Sequence, residues 1–298
     1  MKRLAALLLL AFAYLGPTPA LAQFGGCLPG LCANKVVVCI NSGHAAAFLA
    51  RAGTLDGTHT TAYTNLLNSL DGHALSCKLD MLHVYATQNS TVALLNLIST
   101  NYAGTAHGSP AFTSDLGFTG GSAGNSTVYI DTGFNPSTAV SPNYTQNSAH
   151  LSGYTMTNAA PGFGDGGLIG ASSGAGSRSS FLVPRSSAAV FRFTINGGVD
   201  TFAQSTRIGH YLGNRENVSS LTGYINGSSV VTGAGASGAA VQNNIYTLSA
   251  NIDGTGNGDP NIVGMASIGS SLNGTDNTNF HNDVCTYMLA VGAVGSCP

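Results

Sequence analysis

Asp131 is a carboxylate whose position in the sequence could serve catalysis or metal binding. It ends the alternating stretch STVYID, and Gly133 then turns the chain. A carboxylate at that place could be catalytic, could bind a metal, or could hold the turn through backbone amides. No second carboxylate lies near it in the sequence. The pattern therefore favours a strand-end residue that accepts hydrogen bonds from the turn.

A glycine-rich segment, DGTGNGDPN, offers oxygen ligands for a cation. It places Asp253, Asn257 and Asp259 within seven positions. Calcium prefers several oxygen ligands, and Asp, Asn and backbone carbonyls supply them. The segment is not an EF-hand, because its twelfth position is Gly264 rather than Glu. Since Asp, Asn and Gly also favour ordinary turns, a weak calcium site and a plain turn both stay open.

Tyrosines and arginines could form a glycan site, because sugar rings stack on aromatic faces and sugar hydroxyls bind planar polar groups. Trp is absent from the chain. The glycan-binding candidates are Tyr144, Tyr154, Tyr211 and Arg215, with Tyr224 also available. Arg192 and Arg207 could likewise bind acidic sugars. The alternative is that the tyrosines are strand residues in the core and the arginines lie at ordinary solvated positions.

Enzymatic motifs are poorly represented. A glycosidase needs two carboxylates flanking the scissile bond, and the chain has a single Glu, Glu216, with no carboxylate close by. The pattern G-x-S-x-G occurs at 120–124 and 170–174, but neither serine is followed by the helix that a serine hydrolase requires. We therefore expect no enzyme, and a carbohydrate-active hydrolase is only a third hypothesis.

The N-terminus and the composition predict an exported protein. Residues 1–22 combine a basic start, a short apolar stretch and Ala20-Leu21-Ala22, which indicates a signal peptide cleaved before Gln23. Charged residues make up 7% of the chain and the net charge is −2, so a nucleic-acid partner is not expected. No later segment is apolar and long enough to span a membrane. A secreted or periplasmic location follows.

Six cysteines in such a chain are compatible with disulfides. They are Cys27, Cys32, Cys39, Cys77, Cys285 and Cys297. Proximity favours the pairs 27–32 and 285–297, which leaves 39 with 77, but six cysteines allow 15 connectivities. Zinc is not indicated, because no C-x-x-C pair is present.

Periodicity divides the chain after the signal peptide. Residues 23–102 carry helical patterns at AYTNLLNSLDG and NSTVALLNLIS, separated by a strand-like LDMLHVYA, and are expected to form a mainly helical extension. Residues 103–298 carry many short apolar runs between clusters of Gly, Ser, Asn and Pro, which indicates an antiparallel sandwich. Asn196-Gly197 and Asn226-Gly227 predict tight type I′ hairpins. A helix is expected near the C-terminus, capped by Thr275 and stopped by Gly292.

The order of three motifs resembles the concanavalin A-like lectin and glucanase jelly roll, in its LamG-like branch. These motifs are YIDTGF, LTGYINGSSV and the C-terminal ASIGSSLNGTDNTNFHNDVCTYMLAVG. The resemblance covers about 103–292. It implies a mainly β, two-sheet antiparallel jelly-roll sandwich that often binds glycans and often depends on calcium.

The leading functional hypothesis is a secreted, non-catalytic recognition or adhesion domain that binds a carbohydrate. The second is a structural subunit of an extracellular or phage-derived assembly, in which the partner is a surface protein. A fold alone does not decide between them.

Overall fold

Two antiparallel sheets dominate the computed structural model, which describes residues 42–122, 124–159 and 165–298. The sheets stack face to face and helices cover the outer face of the first sheet. The predicted fold class, a mainly β sandwich with helices before it and one helix at its C-terminal end, is confirmed.

The first sheet has eight strands in the described residues. From one edge to the other the order is β14, β13, β12, β7, β18, β4, β3, with β1 also paired to β18. Their bounds are β1 Leu79–Val84, β3 Ala111–Thr113, β4 Gly117–Thr119, β7 Ala149–Thr155, β12 Gly209–Arg215, β13 Ser220–Ile225, β14 Ser228–Ala234 and β18 Ile262–Gly269. All of these pairs are antiparallel.

The second sheet has ten strands in the described residues. Its main order is β11, β10, β9, β8, β15, β6, β2; β16 joins it by pairing with β8, β17 pairs with β16, and β5 pairs with β17. The bounds are β2 Thr105–His107, β5 Asn125–Ser126, β6 Tyr129–Asp131, β8 Ile169–Ser173, β9 Arg178–Val183, β10 Val190–Ile195, β11 Gly198–Ala203, β15 Tyr246–Thr247, β16 Ser249–Ile252 and β17 Thr255–Gly258. Only β16 with β8 is a parallel pair.

The helices lie on one side of the sandwich. They are α1 His44–Ala52, α2 Gly57–Gly72, the short α3 Ser90–Ala93 and α4 Gly274–Ala290. Apolar side chains of α1, α2 and α4 share a core with the outer face of the first sheet. α1, α2 and β1 all precede residue 103, in the segment predicted as an extension, and the boundary itself stays a prediction. Within the described part of the chain, no helix is long and apolar enough to cross a lipid bilayer.

Side chains that alternate along the strands of the first sheet contribute to two separate hydrophobic cores. On β7, Leu151 points between the sheets whereas Tyr154 points under the helices. On β12, Tyr211 joins the inter-sheet core and Leu212 joins the helix-covered core. Every residue of both strands is therefore buried. A period-two pattern normally leaves one face of an antiparallel sheet to solvent, and here a helical layer covers that face.

Both predicted hairpins are confirmed. Asn226 and Gly227 connect β13 to β14 with φ of 51° and 75°, and Asn196 and Gly197 connect β10 to β11 with φ of 49° and 85°. Two successive positive φ values define the type I′ turn, which Asn-Gly adopts at low cost.

The helical predictions hold in part. α2 and β1 form where they were expected, and Asn89 caps α3 by accepting a hydrogen bond from the amide of Val92. α3 is only four residues long, because Asn96 draws the following chain into a loop. Its Oδ1 accepts from the amides of Leu82 and Ile98. At α4 the predicted cap, Thr275, was wrong.

Asn273 is the residue that caps α4, through a reciprocal capping box with Asp276. The last helical residues lead to Gly292, which has a φ of 77° and ends the helix as predicted.

One predicted disulfide is confirmed. Cys285 and Cys297 are bonded, with Cα atoms 5.7 Å apart, and this bond ties the C-terminal tail to α4. Cys77 is also disulfide-bonded. Its predicted partner, Cys39, lies outside the described residues, as do Cys27 and Cys32, so those two pairings stay predictions.

Three histidines lie between the first sheet and α4. His150 and His210 are buried on β7 and β12, and His281 is buried on α4, with its ring stacked 5.7 Å from that of His210. Burial lowers the pKa of His150 to about 4 and holds the pKa of His210 well below its usual value. Burial also lowers the pKa of His281. These imidazoles are therefore neutral at pH 7, inside a layer that excludes water.

Candidate functional site

Asp131 has the strand-end role that its sequence context predicted. Ile130 points into the inter-sheet core, so its neighbours Tyr129 and Asp131 point to the outer face of the second sheet. The carboxylate accepts hydrogen bonds from the amide of Gly133 at 2.8 Å and from Nδ2 of Asn244 at 3.1 and 3.2 Å. Asp131 therefore fixes a turn and one end of β6.

Three rings stack beside this turn. His107 on β2 lies 4.7 Å from Tyr129 on β6, and Tyr129 lies 4.1 Å from Tyr246 on β15, with interplanar angles of 19° and 7°. His107 is exposed, Tyr129 is half-buried and Tyr246 is buried. Burial, and then the neighbouring Tyr129 and Asp131, raise the pKa of the Tyr246 phenol. We call these three side chains the aromatic stack.

A cavity of about 420 Å³ lies against the aromatic stack. Its walls are His107, Gly108, Ser126, Thr127, Tyr129 and the segment 254–256. We call it the stack cavity. Its volume is within the range of sites that hold small ligands. The exposed face of His107 and several hydroxyl and backbone groups border it, so an apolar surface and hydrogen-bonding atoms are available together.

A second cavity of about 260 Å³, the arginine cavity, has a different lining. The guanidinium carbon of Arg192 lies 5.2 Å from the ring centre of Phe181, and its Nη1 lies 3.8 Å from Oδ2 of Asp165. That distance is too long for a hydrogen bond. The Arg192 side chain is 41% exposed and that of Asp165 is 29% exposed. The Arg192 side chain makes no hydrogen bond to a described residue, so its donors are available to the cavity and to solvent.

Hydrogen bonds orient the polar side chains Asp165 and Asn257 of the arginine cavity. Oδ1 of Asp165 accepts from the amide and the hydroxyl of Ser187, at 2.9 and 3.0 Å, which holds that carboxylate in place. Asn257 donates from Nδ2 to the carbonyl of Asp165 and accepts at Oδ1 from the amide of Gly124, both at 2.9 Å. The exposed side chain of Ile252 adds an apolar wall. The side chains of Asp165 and Asn257 are thus held by the protein before any ligand arrives.

The β16–β17 hairpin links the two cavities. A third cavity of about 330 Å³ is lined by Gly124, Ile252, Thr255, Gly256 and Asn257. It shares Thr255 and Gly256 with the stack cavity, and it shares Ile252 and Asn257 with the arginine cavity. We call the three together the hairpin groove.

The structure corrects the glycan candidates taken from the sequence. The side chains of Tyr144, Tyr154, Tyr211 and Arg215 are all buried, so none presents a surface to a ligand in solvent. The Tyr144 hydroxyl bonds to Ser180 and Asn196 inside the sandwich. Burial raises the pKa of Tyr211 to about 12.

The arginine candidates divide in the same way. Arg215 donates to backbone carbonyls, including that of Ile195 at 2.9 Å. Arg207 is fully buried and forms an ion pair with Asp259 at 2.7 Å. Arg192 is the candidate that reaches a cavity. The sequence contains Arg192 and all three residues of the aromatic stack, but it does not show which strands become neighbours, because strand pairing depends on residues far apart in the chain.

Two of the three residues predicted to bind calcium, Asp253 and Asp259, lie at opposite ends of β17. Asp253 lies in the turn between β16 and β17 and accepts hydrogen bonds from the amides of Gly174 and Ala175. Asp259 lies beyond the other end of β17, about 13 Å away at the rise of an extended strand, and pairs with Arg207. Over 42–122, 124–159 and 165–298, no three His, Cys, Asp or Glu side chains are grouped to hold a metal ion.

Comparison with known proteins supports the fold. No family model matches the chain, and no curated protein matches it either. Among solved structures, botulinum neurotoxin type C, whose cell entry depends on two ganglioside molecules, matches with a TM-score of 0.50 and 15% identity over 72% of this chain and 53% of the toxin chain.

Two further solved structures also match the chain. A mutant Trypanosoma rangeli sialidase with trans-sialidase activity has a TM-score of 0.50 and 9% identity over 76% of this chain and 39% of the sialidase chain. Domain 4 of the extracellular arabinanase AbnA from Geobacillus stearothermophilus, in complex with arabinotriose, has a TM-score of 0.46 and 16% identity over 68% of this chain and 98% of that domain. The chain thus spans about half of the toxin chain and less of the sialidase. At such identities the shared feature is the β-sandwich fold.

Proposed function

We propose that this protein is a secreted, non-catalytic recognition domain that binds a carbohydrate at the arginine cavity. One observation carries the proposal: Arg192 offers free donors beside the carboxylate of Asp165 and next to the apolar Phe181 and Ile252. A sugar presents hydroxyls that both donate and accept, on a ring with an apolar face. Donor, acceptor and apolar wall in one cavity match that chemistry.

The absence of catalysis is part of the proposal. Glycoside hydrolysis uses two carboxyl groups at the scissile bond. Among the described residues that line the hairpin groove, Asp165 is the one carboxylate. Glu216, the single Glu of the chain, accepts a hydrogen bond from Asn214 on the first sheet instead.

Family and location are proposed on the sequence motifs. The LamG-like branch of the concanavalin A-like group accounts for the order of YIDTGF, the Asn226-Gly227 hairpin and the C-terminal helix. Export follows from the signal-peptide pattern of residues 1–22. Mass spectrometry of protein recovered outside the cytoplasm should give a mature chain that begins at Gln23; an intact Met1 would contradict export with cleavage.

Arg192 provides the test of binding. A glycan array should identify saccharides that bind the purified protein, and Arg192→Gln should then weaken the best binder by about tenfold or more, as expected for a lost charged hydrogen bond. Arg178→Gln, the same change on β9 outside the groove, is the matched control and should retain affinity. Thermal melting checks that both variants are folded.

A blank array with folded protein would overturn the carbohydrate proposal. It would favour the second hypothesis, in which the protein binds a protein partner in an extracellular assembly. Equal losses in the Arg192 and Arg178 variants would instead remove the arginine cavity as the site.

A further inference from the structure

The hairpin groove extends well beyond the arginine cavity. Neighbouring cavities share two lining residues each, so a ligand seated at Arg192 meets the middle cavity at Ile252 and Asn257 and then the stack cavity at Thr255 and Gly256. A single sugar ring would contact only one of these compartments. The shape of the groove therefore fits a ligand with several linked units.

Small residues keep the middle of the groove open. Gly124, Thr255 and Gly256 line it, together with Ile252 and Asn257. A side chain at Gly256 is excluded, since its Cβ would lie 2.3 Å from the carbonyl oxygen of Ser126. The close approach of β5 to β17 thus requires glycine at this position. A bound chain that passes between the two ends would contact these small residues and the side chains of Ile252 and Asn257.

The charges along the groove select a neutral chain. Asp165 and Arg192 lie at the same end and have opposite signs, and the other described lining residues include no Lys, Arg, Asp or Glu. A polyanion would meet the Asp165 carboxylate, and a polycation would meet the Arg192 guanidinium. A neutral ligand rich in hydroxyls is repelled by neither charge, and its hydroxyls can donate to the Asp165 carboxylate and accept from the Arg192 guanidinium.

The two ends offer complementary contacts for sugar rings. At the arginine end, donors and an acceptor are held beside apolar side chains. At the other end, the exposed ring of His107 is backed by Tyr129, which is itself stacked on Tyr246, so the imidazole is supported as a flat platform. Rigid ring surfaces of this kind lose little conformational entropy on binding.

We infer that the ligand is a linear, neutral oligosaccharide of three or more rings, bound along its length, with one unit at Arg192 and another on His107. This inference rests on the proposed carbohydrate function and adds the ligand's length, charge and direction along the β16–β17 hairpin. The competing occupant is an extended peptide.

Calorimetric titration with neutral xylo-, cello-, manno- and arabino-oligosaccharides, each from monosaccharide to hexasaccharide, tests the inference. For the series that binds, affinity should rise with chain length until the groove is filled. His107→Ala should remove the gain of the longer chains, about tenfold, and leave the affinity for the monosaccharide unchanged. His107→Phe, which keeps a flat ring, should retain the gain.

Two further variants test whether the longer chains occupy the middle cavity. Thr255→Lys should obstruct the middle cavity and weaken long chains more than short ones. Phe202→Ala removes an exposed aromatic side chain on β11, outside the groove, and should change the affinity for neither long nor short chains. Thermal melting of each variant verifies folding.

The outcomes separate the two proposals. Length-independent affinity that still depends on Arg192 would overturn the oligosaccharide inference and leave the carbohydrate site standing. Absence of binding to every saccharide would overturn both. Tighter binding of acidic oligosaccharides than of neutral ones, or of extended peptides with loss in His107→Ala, would overturn the inference in favour of that ligand.

Discussion

The outer faces of the two sheets have opposite surroundings. The outer face of the first sheet packs under α1, α2 and α4, and it buries Tyr154, His150 and His210 there. The outer face of the second sheet lies open over the hairpin groove and exposes His107 and Arg192. Similar residue types thus serve packing on one face and are available for binding on the other. The helical layer, rather than the strand pattern, makes the difference.

The largest change in stability should come from removing a buried aromatic ring from the covered face, and removing a ring from the open face provides the comparison. Phe280 on α4 is fully buried against His150 and His210, so Phe280→Ala should lower the free energy of unfolding by about 3–5 kcal/mol. Phe181→Ala on the open face should cost about 1 kcal/mol, because that ring is only half-buried. Urea unfolding measures both. Equal losses of unfolding free energy in the two variants would contradict the distinction between a covered and an open face.

Acidification should test the covered face next. His150 is neutral in the folded state, with a pKa of about 4, and an unfolded chain titrates it near 6.5. Between those values the unfolded state binds a proton that the folded state does not, so stability falls as the pH falls from about 6.5 to 4. His150 alone accounts for about 3 kcal/mol over that window.

Unfolding free energies measured at intervals across this pH range check the slope. His150→Gln keeps a side chain that can hydrogen-bond but does not titrate, and it should reduce the slope. A flat profile in the parent protein would show that the buried histidines are already protonated or accessible.

The smallest effect is expected from chelation. Asp253 already accepts two backbone amides and Asp259 is paired with Arg207, so the hairpin is held by protein contacts. EDTA should leave the Tm unchanged, and added calcium should not raise it. A drop of several degrees that calcium reverses would mean that the open face carries an ion after all.

Local signals predicted the parts of the fold that local chemistry determines. Asn226-Gly227 specifies a hairpin because both residues tolerate positive φ, and the spacing of Leu66, Leu67 and Leu70 specifies a helix. The burial of Tyr154 could not be predicted in the same way. Alternation gives the face on which a side chain lies, but whether another layer covers that face depends on α4, more than a hundred residues away.

The candidate site was less accessible to sequence reasoning. Arg192 was one of several arginines with no feature to separate it from the buried Arg207 and Arg215. What separates them is the position of their partners: Asp259 lies within reach of Arg207 inside the protein, whereas Asp165 meets Arg192 at the surface. The aromatic stack likewise needs three strands whose residues, His107, Tyr129 and Tyr246, are distant in the chain.

The pairing of β5 with β17 has a kinetic consequence. Ser126 lies opposite Gly256, about 130 positions later, and this contact closes the groove between them. Contacts of such long range form slowly, because the entropy of a large loop is lost before the pairing is gained. A growing chain would hold α1, α2 and the Asn-Gly hairpins early. It would acquire a complete groove only once the segment around Gly256 had emerged, which makes the groove one of the last parts of the molecule to form.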